Sequence, residues 1–117
     1  MEQKLNKLTF HMVPREYYDA QPPDQDYQPE PMRTGKEDFI HCTTGPDEVV
    51  ATAHRYYLGD PRPFYLLVID LEKVRAPWRY DAPGEIYPHI YGPLNRDAIL
   101  EVRNFDRTPE GLFLIPE

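Results

Sequence analysis

Fourteen of the 117 residues are proline, and no other feature limits the chain as much. Each proline fixes its φ angle and removes a backbone donor. A chain this dense in proline is cut into short elements joined by rigid turns, not long helices. Within that limit one stretch organises the rest: Phe39-Ile40-His41-Cys42-Thr43-Thr44, followed by Gly45-Pro46. It reads as a short buried strand that runs straight into a helix, with a hydroxyl, a glycine and a proline marking the switch. A titratable imidazole at a strand end beside a helix start is a good place for chemistry.

The length predicts one domain over residues 1–117, with its core at about 8–105 and an apolar tail at 106–117. Such a chain can bury a core without disulfides or metal. The lone cysteine excludes an intrachain disulfide and fits a reducing compartment. The first ten residues hold no signal-peptide apolar region, and no apolar run nears the roughly 20 residues of a membrane span. The expectation is a cytoplasmic protein with no membrane partner. The net charge of −7 makes nucleic acid an unlikely partner, because affinity for its backbone comes from Lys and Arg. Arg62, Arg75, Arg79, Arg96 and Arg103 are scattered and read as solvated surface. The nine tyrosines supply apolar bodies with polar tips, suited to lining a pocket.

Taken in order, residues 1–6 read as a frayed polar end. Residues 7–13 alternate as a first strand that puts His11 on the face opposite Phe10. Residues 14–20 make a short helix opened by Pro14. Residues 21–36, with four prolines, read as a long loop anchored by Tyr27. In the organising strand, 38–43, Phe39, His41 and Thr43 share one face and Ile40 and Cys42 the other. Thr44 or Gly45 caps a helix that runs to about Leu58, with Val49, Val50, Ala53, Tyr56 and Tyr57 as its apolar stripe and Gly59 as its C-cap. Phe64–Asp70, apolar on both faces, reads as a central strand. Residues 78–80 form a short strand closed by the turn Asp81-Ala82-Pro83-Gly84. Residues 85–91 follow, extended, with Glu85, Tyr87, His89 and Tyr91 on one face and Pro88 demoting the segment to an edge. Leu94 to Ala98 is a helical turn capped by Asn95, and residues 99–105 are a last strand. Residues 111–115 dock on the body or on a partner chain, so a homodimer is one expectation. The fold class is α+β: a mainly antiparallel mixed sheet with a few short helices to one side.

His41 is the first candidate for acid–base work or for bonding a ligand, since imidazole titrates near physiological pH. Its plain alternative is a core histidine satisfied by a backbone carbonyl. Thr43 and Thr44 beside it could hold a ligand hydroxyl or phosphate at the helix start; their alternative is capping. Glu85 and His89 lie about 13 Å apart by strand rise, so they flank a cleft and do not form a dyad. His11 is a ligand-binding candidate whose alternative is a buried structural histidine, and His54 reads as surface. A metal site is rejected because His41 and Cys42 point to opposite faces and no pair has ligand spacing. Cys42 points into the core and is a poor nucleophile candidate.

Two stretches, Phe39-Ile40-His41-Cys42-Thr43 and Gly84-Glu85-Ile86-Tyr87-Pro88-His89-Ile90-Tyr91-Gly92-Pro93-Leu94, resemble the signatures of the small bacterial domain-of-unknown-function 952 family. The Phe64–Asp70 strand and the Val13-Pro14 step fit it too, so the likeness covers about residues 8–105. That family is similar in fold to the ADP-ribosyltransferases, and closest to the NAD-dependent RNA 2′-phosphotransferases. The resemblance implies an ADP-ribosyltransferase-like fold and NAD as the cofactor; the residues alone point to none. It matches His11 to the first-strand histidine and Ile40-His41-Cys42-Thr43 to the second-strand motif, and sets Glu85 where transferases place their catalytic glutamate.

The function expected is therefore binding of a nucleotide or similar small phosphorylated molecule, with transferase action on a ribosyl or phosphorylated small molecule. His41, Glu85 and His89 are its catalytic candidates. His11, Thr43, Thr44, Tyr87 and Tyr91 are its ligand-binding candidates, the two tyrosines by stacking on a ring. Glu85 would stabilise an oxocarbenium-like centre. The rivals are a non-catalytic binding module on the same fold and an interaction protein that uses the apolar tail.

Overall fold

The computed structural model describes residues 7–116; the expectation of a frayed end at 1–6 lies outside the described residues. The elements run β1 (Leu8–Pro14), α1 (Arg15–Asp19), α2 (Glu30–Arg33), β2 (Ile40–His41), α3 (Pro46–Tyr56), β3 (Phe64–Asp70), β4 (Trp78–Tyr80), β5 (Pro88–Ile90) and β6 (Ile99–Phe105), with 3₁₀ turns at Leu71–Lys73 and Arg96–Ala98. This is a small α+β fold. The strands form two three-stranded sheets, ordered β1-β3-β6 and β2-β5-β4. Every pairing between the named strands is antiparallel, so the expected single mixed sheet is corrected to two antiparallel ones.

β3 takes the centre of the first sheet because its run of apolar residues can be covered on both faces. Leu67 and Ile69 go to one core with Tyr27, Ile40, Ile90 and Leu94. Phe64 and Leu66 go to a second core with Val49, Ala53, Phe105 and Phe113. α3 and the tail cover that second side, so the tail docks on the body through Phe113.

Three local expectations are revised. β5 is the centre of its sheet, not an edge. Pro88 is tolerated because it is the first strand residue, where its carbonyl still accepts from the Cys42 N–H at 3.1 Å. The proline-rich loop holds a helix, α2, with a proline in its first turn, where a missing N–H costs nothing. α3 is capped at its start by Gly45 at φ 103°, without a side-chain bond, and at its end by Tyr57 and not Gly59. Tyr56 is 67% exposed and leaves the apolar stripe. The carbonyls left free at the end of α3 are met by Arg107. Its guanidinium donates to the oxygens of Asp60 (2.6 Å) and Tyr57 (3.0 Å) and lies 4.2 Å over the Phe113 ring.

Arg96, expected as plain surface, donates to the carbonyls of Gln25 (2.7 Å) and Pro22 (3.1 Å) and so holds the long loop to the body. Arg62, Arg75, Arg79 and Arg103 each pair with a nearby carboxylate. His54, half-buried, accepts the Phe113 N–H at 2.9 Å, so it is a latch for the tail and not free surface. Among the described residues no helix is long and apolar enough to cross a membrane.

The two sheets meet at a seam. Phe10 and Thr43 exchange backbone bonds, N–H to O at 2.9 and 2.8 Å. Beside them the buried His11 donates from Nδ1 to the His41 carbonyl (2.7 Å) and accepts at Nε2 from the Tyr27 hydroxyl (2.8 Å). Tyr27 is fully buried and is bridged to the Leu94 backbone at 2.8 and 2.9 Å. Burial is the main cause that lowers the His11 pKa from 6.5 to about 4.

Two outcomes follow for stability. The unfolded chain takes up a proton at His11 near pH 6.5, whereas the folded chain resists until about 4. Stability therefore falls as pH drops through that window, by up to roughly 3 kcal/mol, and this group adds no further slope above or below it. Urea midpoints taken from neutral pH down to about pH 4.5 check this against His11→Gln, which keeps a donor and an acceptor; equal slopes in the two proteins would refute it. Phe113→Ala, by opening the second core, costs about 3 kcal/mol in the same urea assay and detaches the tail.

Candidate functional site

The chemistry gathers on the outer face of the second sheet. Strand alternation sends Ile40, Cys42 and Ile90 inward, all buried, and so sends Phe39, His41, His89 and Tyr91 outward. β2 and β5 put His41 directly opposite His89. Their rings stand 5.3 Å apart, edge to face at 72°. Phe39 stacks on His89 at 4.1 Å and 22°, and lies 4.7 Å from His41 and 5.3 Å from Tyr91.

Each histidine is tied to a carboxylate. His41 Nε2 is 3.1 Å from both oxygens of Glu37. His89 Nδ1 is 2.7 Å from Asp81 Oδ2. A carboxylate only accepts, so those nitrogens carry the hydrogens and the opposite nitrogens are the acceptors. Asp81 is the hub of the face. It also accepts from the Tyr91 hydroxyl and from Arg79 Nε (2.6 Å), while the Arg79 guanidinium lies 4.2 Å over the Tyr91 ring. The Tyr91 hydroxyl first, then Arg79 and His89, hold the Asp81 carboxyl well below the ordinary carboxylate range. The carboxylate in turn raises the Tyr91 phenol.

Between β1, the long loop, α3 and this face lies a cavity of about 820 Å³, within the size range of small-molecule sites. His11, His41, Thr43, Tyr87 and His89 line it, with Glu37, Arg55 and Arg62. The neighbouring Tyr87 first, then Tyr56, raises the Arg55 pKa. Arg62 is held by Asp60 through several bonds, the shortest 2.6 Å.

The expected site residues divide. Five of them, His11, His41, Thr43, Tyr87 and His89, face the cavity from three remote stretches. Three do not line it. Glu85 is exposed in the turn at φ 54°, which breaks the expected extended face. Thr44 turns its hydroxyl to Thr9 at 2.9 Å. The Tyr91 hydroxyl is bonded to Asp81 and the Arg79 guanidinium lies over its ring, so its contacts run to the carboxylate that also holds His89. His11 has both ring nitrogens bonded within the protein and offers the cavity only ring surface.

Sequence reasoning missed Glu37 and Asp81, the two carboxylates that matter most. The signal existed. Glu37, Phe39 and His41 keep a spacing of two, as do Arg79, on the strand that pairs it with His89, and Asp81, one residue past that strand's end. Asp81 reads in the sequence as part of a turn motif, although the same turn folds its carboxylate back over β5. Burial pushes the Cys42 thiol up, which keeps it un-ionised. Among the described residues no group of three or more His, Cys, Asp and Glu side chains is placed to hold a metal ion.

The chain is similar to solved structures of CC0527 from Caulobacter crescentus. One crystal structure matches with a TM-score of 0.73 at 19% identity, over 92% of this chain and 93% of that one. The solution NMR structure of the same protein gives 0.66 at 20% identity, over 91% and 90%. A crystal structure of a double mutant gives 0.71 at 21% identity, over 92% and 93%. A comparison with curated proteins gives no match. The model of one family, described as a protein of unknown function (DUF952), matches residues 12–102. That span is most of the sequence, and the chain belongs to the DUF952 family.

Proposed function

We propose that this protein binds a nucleotide-type ligand, a ribosyl or phosphorylated small molecule, in the 820 Å³ cavity, and acts on it as a transferase. One observation carries the reading: two imidazoles, each tied through one nitrogen to a carboxylate, face the same cavity. The carboxylate fixes each ring's tautomer and leaves the other nitrogen to accept from a ligand hydroxyl or to exchange its proton. His41 is the more exposed of the two, at 58% of its side chain against 18% for His89. It is the natural group to orient ribose hydroxyls. Tyr87 offers a ring for stacking, and Arg55 beside it offers positive charge.

The resemblance to the RNA 2′-phosphotransferases implies NAD, but the residues do not fit an NAD site of that kind. Those enzymes follow the first-strand histidine with Gly-Thr; here Met12 and Val13 follow it and both line the cavity. His11 itself is fully bonded. Glu85, the expected catalytic carboxylate, is outside the lining. These same facts favour a second reading, a binding module without turnover, in which Glu37 and Asp81 only position the two rings.

Calorimetric titration of the folded protein with NAD, ADP-ribose and nucleoside phosphates tests the proposal. Heat is expected with at least one nucleotide, and His41→Ala should weaken that binding about tenfold, or 1.4 kcal/mol. No heat with any of them overturns the ligand reading. Binding with no turnover of the bound molecule leaves the module. Asp81→Asn keeps size and removes charge. It should change the nitrogen NMR signals of the His89 ring and weaken the same ligand by several-fold; an unmoved His89 spectrum would show that Asp81 does not set that ring.

A further inference from the structure

We propose that β6 is a self-association edge: two copies pair their β6 strands antiparallel about a two-fold axis at Val102. Among the described residues β6 is the outer strand on its side of the first sheet, whereas the opposite outer strand, β1, is closed by its bridge to Thr43. Soluble proteins blunt such edges with charge, proline or short length. β6 is seven residues long, has no proline, carries charge only as the opposite-sign pair Glu101 and Arg103, and leaves Leu100 45% and Val102 43% exposed. Apolar exposure continues past its end at Leu112, Leu114 and Ile115. The Leu114 N–H bonds the Asp106 carbonyl at 2.9 Å and so holds that segment beside the end of the strand.

Charge selects the register. Glu101 and Arg103 flank Val102 on one face and lie 3.6 Å apart within one copy. An axis at Val102 sets Glu101 against the other copy's Arg103, twice, by symmetry. Across the opposite face it sets Val102 against Val102, and Leu100 against Asn104. Shifting the axis one residue either way puts Glu101 against Glu101 or Arg103 against Arg103, and like charges directly opposite are destabilising. The register shift between Val68 and Ile69 falls opposite the start of β6, leaving residues 101–105 as a regular ladder. The occupant of this edge is therefore a second copy, whose sequence supplies both the apolar residue and the reversed charges.

Sedimentation equilibrium of the full chain tests this. The wild type should show a monomer–dimer equilibrium. Glu101→Arg and Arg103→Glu should each weaken it about tenfold, because each opposes like charges. Mixing these two variants should restore the dimer, since every cross-pair is then attractive. Val102→Lys should give monomer with unchanged circular dichroism. Monomer at all wild-type concentrations overturns the proposal. So does a dimer that ignores the charge reversals but is lost on removing residues 111–117, which would move the interface to the tail.

Discussion

Two small sheets, neither wide enough to bury a core by itself, are joined where Phe10 and Thr43 trade backbone bonds. The rest of the molecule depends on that seam. It sets β2 against β1, so the outward face of β2 looks onto the same space as His11 to Pro14 of β1. His11 reinforces it from inside, with one ring nitrogen on the β2 backbone and the other on a tyrosine from the long loop. A buried imidazole bonded on both sides satisfies its polar atoms without a charge, which is why burial there is tolerated. The seam, the loop and the cavity are thus one construction.

The candidate site is built on the opposite logic. His41 and His89 lie on the outward side of their sheet, and carboxylates hold them from behind. Asp81 can serve as a hub because three donors reach it: a phenol, a guanidinium and an imidazole. Such charge-assisted bonds fix geometry more than they add stability on an exposed face. The face is therefore organised before any ligand arrives, and Phe39, packed over both rings, narrows the ways they can turn.

The element types were largely legible. β3 and β4 lie where hydrophobic pattern and turn chemistry put them, and β6 spans the residues expected. Pro88 and the 21–36 loop depart from the sequence expectation for one reason: proline in a sequence reads as an interruption, whereas position decides its effect. At the first residue of a strand, or in the first turn of a helix, the missing N–H was never going to be used. Of the expected site, the alternation in residues 39–42 and 88–91 separated outward from inward side chains, whereas Thr43 is buried in the seam. It failed at Glu85, because a left-handed backbone there ends the alternation.

The sequence by itself determined what is local: short elements from proline density, a central strand from a continuous apolar run, and an imidazole-bearing face from a period of two. These rest on sterics and side-chain direction within a few residues, so neighbours along the chain suffice to specify them. Only the tertiary structure decided which imidazoles stand open and which have both nitrogens bonded within the protein. His11 and His41 look alike in the sequence. Yet one is sealed by a carbonyl and a phenol from 30 and 16 residues away, and the other stands open beside Glu37. The division into two sheets, the central place of β5 and the reach of Asp81 to His89 are likewise long-range pairings. Their energies depend on which strands find each other, and nothing in a local window records that.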